Sequence, residues 1–305
     1  MTGSILLFSV LLTAISDCAY VLAVGVMLAS YWLDRVEMLP ARPVFSAAYT
    51  GKWLIALGSL IGLAQIIRLW FLAASMSGVA LFRQNLALVP SIVASTHQGL
   101  LWKVQMGAVL AFLASSGVIA RRKSRAMHFI GVVCLCVIAF VKAASGHAAD
   151  NGDFTRQEML QWVHILSTAA WAGGVIVSGL IVLPVLVRSA AGEMVWQYLQ
   201  AVSKIATYAV VAVFVSGIYT ADRELNGMFA GLFTSTWGRI LIGKVVIVLF
   251  ALVLGAANRF LCLRGDVSTH NITLSGRLLR VEAIAILVVL CLSGWLGNTA
   301  PAMEM

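Results

Sequence analysis

The stretch Lys142–Trp171, KAASGHAADNGDFTRQEMLQWVHILSTAAW, leaves one apolar segment at His147, crosses a short polar loop and enters the next apolar segment at His164. The loop carries Asp150, Asp153, Arg156 and Glu158, an acidic balance in a chain whose formal net charge is +9. Two histidines therefore flank one polar interruption between two long apolar runs, and those runs decide the fold class.

Outward from this hairpin the same pattern repeats. The 305 residues are 61% hydrophobic and only 11% charged, with a mean hydropathy of +0.97. A soluble domain carries charge at roughly a quarter of its positions, so the composition excludes one. Crossing about 30 Å of hydrocarbon takes about 20 residues of helix. Runs of that length fall near residues 5–31, 52–76, 97–120, 126–147, 159–187, 202–221, 237–262 and 278–298. They are continuous rather than alternating, and an open sheet edge in lipid would leave backbone groups unpaired. The expectation is an all-α, polytopic integral membrane bundle of eight transmembrane helices, a single membrane domain over 1–305 with no separate soluble domain.

The first run lacks a basic lead and ends at Trp32-Leu33-Asp34-Arg35 rather than at small residues, so it reads as a retained anchor helix, not a signal peptide. Cys18, Cys134, Cys136, Cys262 and Cys291 all lie in or at the ends of spans, which gives no disulfide framework outside the membrane.

Orientation comes from Arg121-Arg122-Lys123-Ser124-Arg125, the densest basic cluster, because short basic loops stay cytoplasmic. Alternation then puts Arg35, Arg42, Lys52, Arg188, Lys204, Arg259, Arg264, Arg277 and Arg280 inside, and both termini in the periplasm. Topology and membrane lipid explain the positive charge, with no nucleic acid. Ser95-Thr96-His97-Gln98-Gly99 with Lys103, and Ser235-Thr236-Trp237-Gly238 with Lys244, open spans three and seven alike, which would make a 4+4 parallel repeat. Gly173, Gly174 and Gly179 read first as helix-packing positions, and Pro184 as a kink or terminator.

This topology brings His97, His147 and His164 to the outer face, whereas His128 and His270 fall at the cytoplasmic boundary. Neutral imidazoles from separate helices can close on one metal ion without a local motif. Met76, Met106, Met159, Met228, Met303 and Met305 map to the same side, and thioether with imidazole suits Cu(I). Cys134 and Cys136 point about 200° apart on a regular helix and cannot chelate together. Asp17 lies deep in span one, with Arg68, Lys103, Lys142 and Lys244 in the outer parts of spans two, three, four and seven. Such charges are costly at depth. That electropositive lining opens a rival reading, in which two histidines hold a b-type haem or a quinone docks for redox work on copper. No nucleophile with a spaced base, phosphate loop or paired carboxylates stands out, so the expectation is a protein that is not an enzyme.

Several stretches together resemble the copper resistance protein D family of bacterial inner-membrane proteins: Ser145-Gly146-His147-Ala148, Trp162-Val163-His164-Ile165-Leu166 with Ala170-Trp171-Ala172-Gly173-Gly174, Ser216-Gly217-Ile218-Tyr219, Thr236-Trp237-Gly238-Arg239 with Lys244, Gly255-Ala256-Ala257-Asn258-Arg259, and Arg280-Val281-Glu282-Ala283. The resemblance implies eight spans, a periplasmic copper-binding partner of the CopC type, and copper movement toward the cytoplasm. Family members often end in a Thr-Pro-Pro-like run, here Thr299-Ala300-Pro301, and there is no fused CopC domain, which implies a separate donor. On that reading His97, His147, His164 and Met159 receive copper, and Met303 and Met305 form a capture tail.

Overall fold

The computed structural model describes residues 3–35, 46–77, 82–146, 152–189, 191–225 and 231–299. Among them there are helices and turns but no strand, and eight helices are long and apolar enough to cross a membrane. Each of the eight expected runs corresponds to one of these, so the protein is a polytopic all-α membrane protein. The chain divides into two compact units, Ala47–Leu166 and the remainder.

The first of these units, Ala47–Leu166, is built on α2 (Ala47–Ser77), α3 (Phe82–Ser95), α4 (His97–Arg121), α5 (Arg125–Ala144) and the start of α6 (Arg156–Val177). Helices α2 and α4 pack closely because Gly51 has no side chain: a Cβ there would come within 2.4 Å of Ala120. Farther along, Gly58 packs against Phe112, and the Trp102 indole N–H donates to the Gln65 carbonyl at 3.2 Å. These contacts run in opposite order along the two helices, so α2 and α4 are antiparallel.

The stretch expected to be a plain connection, 77–96, instead contains α3, with Pro90 inside it. Its polar start hides it from a search for long apolar runs. Only Thr96 separates α3 from α4, and Gly99 permits the turn, since a Cβ there would lie 2.2 Å from the Ile92 carbonyl oxygen.

The second unit, Met1–Ser46 with Ser167–Met305, contains α1 (Gly3–Arg35), the rest of α6, α7 (Leu183–Ser189), α8 (Gly192–Leu225), α9 (Gly231–Thr234), α10 (Thr236–Ala257) and α11 (Thr269–Leu296). Small residues set its contacts, as expected where lipid removes the hydrophobic incentive for helices to associate. Gly25 of α1 meets Gly173 of α6 backbone to backbone, Gly294 of α11 packs on Ala14 of α1, and Gly179 lies against the Leu279 carbonyl.

Two π-helical turns interrupt the long helices, 178–182 between α6 and α7, and 258–262 after α10. The first has a local cause. Pro184 has no N–H for the carbonyl of residue 180 and its ring crowds that carbonyl, and the preceding Leu183 N–H reaches past the residue 179 carbonyl to that of Ser178. The helix therefore continues through Pro184 rather than ending there. The Ser178 hydroxyl is bonded to the buried Tyr198 hydroxyl at 2.8 Å, and Asn258 in the second π turn accepts from the Ser275 hydroxyl at 2.6 Å.

The two stretches that looked like a repeat are both N-caps. Thr96 accepts from the Gly99 N–H and Ser235 from the Gly238 N–H, each at 2.9 Å. The caps fall one residue apart in the matched letters, and capping chemistry alone accounts for the shared Ser-Thr and Gly.

Candidate functional site

At one end of the unit Ala47–Leu166, the start of α4, the end of α5 and the start of α6 come together around residues 152–155. Capped by Thr96, α4 begins at His97. Across from it the chain turns through Gly152 (φ 101°) and Phe154 (φ 58°), both left-handed. Phe154 bears that conformation because two contacts hold it. Its ring stacks on Phe140 of α5, centroids 5.6 Å apart and planes 24° apart, and its N–H donates to the Glu158 carboxylate. The Thr155 hydroxyl in turn accepts from the Glu158 N–H at 3.2 Å. Thr155 and Glu158 thus satisfy the free N–H groups at the start of α6 in the manner of a capping box, which explains why Glu158 is only 1% exposed.

The same α5–α6 seam is closed deeper in by Trp162. Its indole N–H donates to the Cys136 carbonyl at 3.0 Å, and Phe140 packs edge-on against it at 5.8 Å. Cys136 therefore contributes its backbone here. All five cysteines are free thiols, and Cys134 is buried while Cys136 is only partly so.

What this scaffold presents is Asp153 opposite His97, with Oδ1 3.3 Å from Nε2 and the two side chains 54% and 47% exposed. In water such a pair contributes little stability, but a carboxylate facing Nε2 favours the tautomer that keeps the proton there. With Nε2 carrying the proton toward the carboxylate, the Nδ1 lone pair is left for a ligand, the arrangement by which carboxylates orient metal-binding histidines. Truncating Phe154 to alanine should remove about 1 kcal/mol of stacking. Amide exchange over residues 152–158 is then expected to speed up roughly fivefold, with unchanged exchange in α2 and α4.

His164 and Met159 are both partly buried on α6. Because α6 is regular from Arg156 to Val177, these two residues point about 140° apart and cannot close on one ion. Among the described residues no group of three or more His, Cys, Asp or Glu side chains is arranged to hold a metal. His147, Met228, Met303 and Met305 lie outside the described residues.

The intramembrane cations are disposed differently from an electropositive lining. Arg68 on α2 and Lys103 on α4 are exposed, where long stems can carry charge toward an interface. Lys142 occupies the last turn of α5, where a cation complements the helix dipole. Lys244 and Asp17 are partly buried in the other unit. A second carboxyl within the spans is Glu282, 3% exposed and bonded to the Trp171 indole N–H at 3.3 Å. Its cue, an acid inside an apolar run, is obscured when span eight is started at residue 278; α11 begins at Thr269, which places Glu282 midway.

Eight membrane-length helices define a multi-pass membrane protein, and a histidine–carboxylate pair lies at the end of one of its units. Residues 4–157 match the family described as copper resistance protein D-like, N-terminal domain, and residues 196–296 match copper resistance protein D. The chain belongs to the copper resistance protein D family. It is 24% identical to copper resistance protein D of Pseudomonas syringae pv. tomato over 281 residues, covering 88% of this chain and 86% of that one. It is 26% identical to inner membrane protein YebZ of Escherichia coli (strain K12) over 262 residues, 77% of this chain and 85% of that one. The copper transport protein CutJ of Bacillus subtilis (strain 168) is 30% identical over 170 residues, 53% of this chain and 30% of that protein. No solved structure matches.

Proposed function

We propose that this protein accepts copper at the periplasmic face of the bacterial inner membrane and passes it toward the cytoplasm without catalysing a covalent reaction. The observation that carries the reading is the His97–Asp153 pair, an oriented imidazole on a half-exposed rim in a member of a copper resistance family. The basic turn Arg121–Arg125 at the far end of α4 supports the orientation, because such turns stay cytoplasmic. The rim with His97 then faces the periplasm. Copper is substrate here, delivered by a soluble CopC-type donor whose own ligands exchange onto His97, with His147, Met303 and Met305 as further capture ligands.

Copper uptake into vesicles containing the purified protein tests this reading. Metal accumulation that depends on the protein supports it; empty vesicles and loaded vesicles filling alike would overturn it. An absorbance spectrum in the same preparation separates the redox alternative, since a Soret band lost with His97 or His164 belongs to haem. Asp153→Asn keeps the shape of the rim but removes the anion that orients His97. Copper retention against a competing Cu(I) chelator is expected to weaken by about tenfold, the usual scale for an outer-shell partner.

A further inference from the structure

The unit formed by Met1–Ser46 and Ser167–Met305 buries an acid that the copper-capture reading does not use. Glu282 lies midway along α11, 3% exposed. The Trp171 indole N–H on α6 donates to its Oε1 at 3.3 Å. On α10 the carboxyl rests in a hollow left by Gly255, where a Cβ would come within 3.1 Å of Oε1 and 3.5 Å of Oε2. Its two neighbours thus supply one N–H and one absent side chain. Among the described residues no cation lies within ion-pairing distance of it.

The charged and titratable groups on the surrounding helices are placed elsewhere. On α1, Ser9 bonds to Asn298 and Ala14 packs on Gly294, an antiparallel register that sets Asp17 about 13 Å along the helix from the level of Glu282. Lys244 precedes Gly255 on α10 by about 16 Å, and Cys262 follows it by about 10 Å. Arg259 donates to Ser203 and Thr207, and the Tyr198 hydroxyl of α8 is bonded to Ser178.

Ionising a carboxyl buried away from water with a single hydrogen bond costs more than that bond returns, so the arrangement favours the neutral acid. A copper site does not fit, because an indole N–H is a donor with no lone pair to offer a metal, and no cluster of ligating side chains surrounds the carboxyl among the described residues. Both helices that contact the carboxyl are interrupted by a π-helical turn, 178–182 about 10 Å beyond Trp171 and 258–262 beginning three residues after Gly255, and such turns recur where helices serve function.

We propose that Glu282 is a proton-exchanging site inside the membrane, and that its proton leaves as a cation passes; the second clause rests on the copper-transport reading. The O–H bond breaks with its electron pair remaining on the carboxylate, and the proton goes to water on the side copper comes from. On return the carboxylate takes a proton from water on the side copper has entered, so each passage moves one proton out against one Cu(I) in. A neutral acid alone and a carboxylate beside Cu(I) carry the same total charge, so the exchange keeps the interior neutral.

Infrared spectroscopy of the reconstituted full chain tests the first clause without copper. A protonated-carboxyl C=O band is expected that shifts in D2O, fades as pH rises and is missing from Glu282→Gln. A band that ignores pH and D2O, or wild-type spectra with no such band, would overturn the site, and the wild-type measurement stands whether or not the variant folds. Vesicles loaded with a pH-sensitive dye test the second clause. Copper entry should drive proton exit, lost in Glu282→Gln; proton exit that persists in the variant would overturn the coupling. Wild-type vesicles that move no copper while the band still titrates would bring down the transport reading and leave the proton site standing.

Discussion

Gly173→Ala is expected to destabilise the unit containing α1 and α6 by about 3 kcal/mol or more, at or above the upper end of the usual cost of overpacking. In fluorescence-detected size exclusion the variant should lose its monodisperse peak at temperatures the parent survives. The added Cβ would sit 2.2 Å from the Val21 carbonyl oxygen and 2.8 Å from the Gly25 nitrogen. These are backbone atoms of α1, so no rotamer change relieves the clash and the helices must separate. Gly25→Ala meets the same seam from the other side, 2.2 Å from the Gly173 carbonyl oxygen. Once one substitution has parted the helices, the second has less to disrupt, so the double variant should cost clearly less than the sum of the two. Gly243→Ala in α10 is the control: nothing lies within 4 Å of its Cβ, and it should melt with the parent or slightly higher because alanine favours helix. A Gly173→Ala protein that melts with the parent would show that the contact carries no such constraint.

The spans were legible because lipid leaves a chain few options: long apolar runs must be helical to satisfy their own backbone. Their ends were not. The apolar criterion sees only the hydrocarbon core, so the helices expected at 202–221 and 278–298 extend to Gly192–Leu225 and Thr269–Leu296. The nine residues of helix that precede residue 278 put Glu282 midway along α11, where the apolar run alone put it near a helix end. The π turns left no periodic trace, although Pro184 marked where a backbone bond had to be rerouted.

The rim was half legible. Topology alone brought His97 and the 142–171 hairpin to one face, and the structure places Asp153 of that hairpin on His97. The pairing depends on a left-handed Phe154 held by an aromatic stack and a cap, contacts between residues far apart in helix register that composition cannot announce. The angular test that separates Cys134 from Cys136 applies equally to Met159 and His164, and it removes Met159 as a ligand shared with His164.

Copper binding should accordingly divide between His97 and His164 rather than fall on both alike. His97→Ala is expected to lower copper retention by the purified protein by more than the roughly 10–100-fold that an outer-shell partner costs, and therefore by more than Asp153→Asn. His97 is the first residue of α4 and 47% exposed, so its truncation should leave the melting temperature within the small range usual for surface changes, and lost copper then reports a lost ligand rather than a lost fold. His164 lies farther along α6 and partly buried; its replacement should slow copper entry into vesicles while leaving most retention at the rim intact. Isothermal copper competition on the detergent-purified variants and flux on the reconstituted ones separate the two roles. Unchanged copper retention in the double variant His97→Ala/His164→Ala would eliminate both residues together. If His164→Ala alone abolished retention while His97→Ala did not, the receiving ligand would lie within α6, and the carboxylate at Asp153 would be orienting an imidazole that copper never meets.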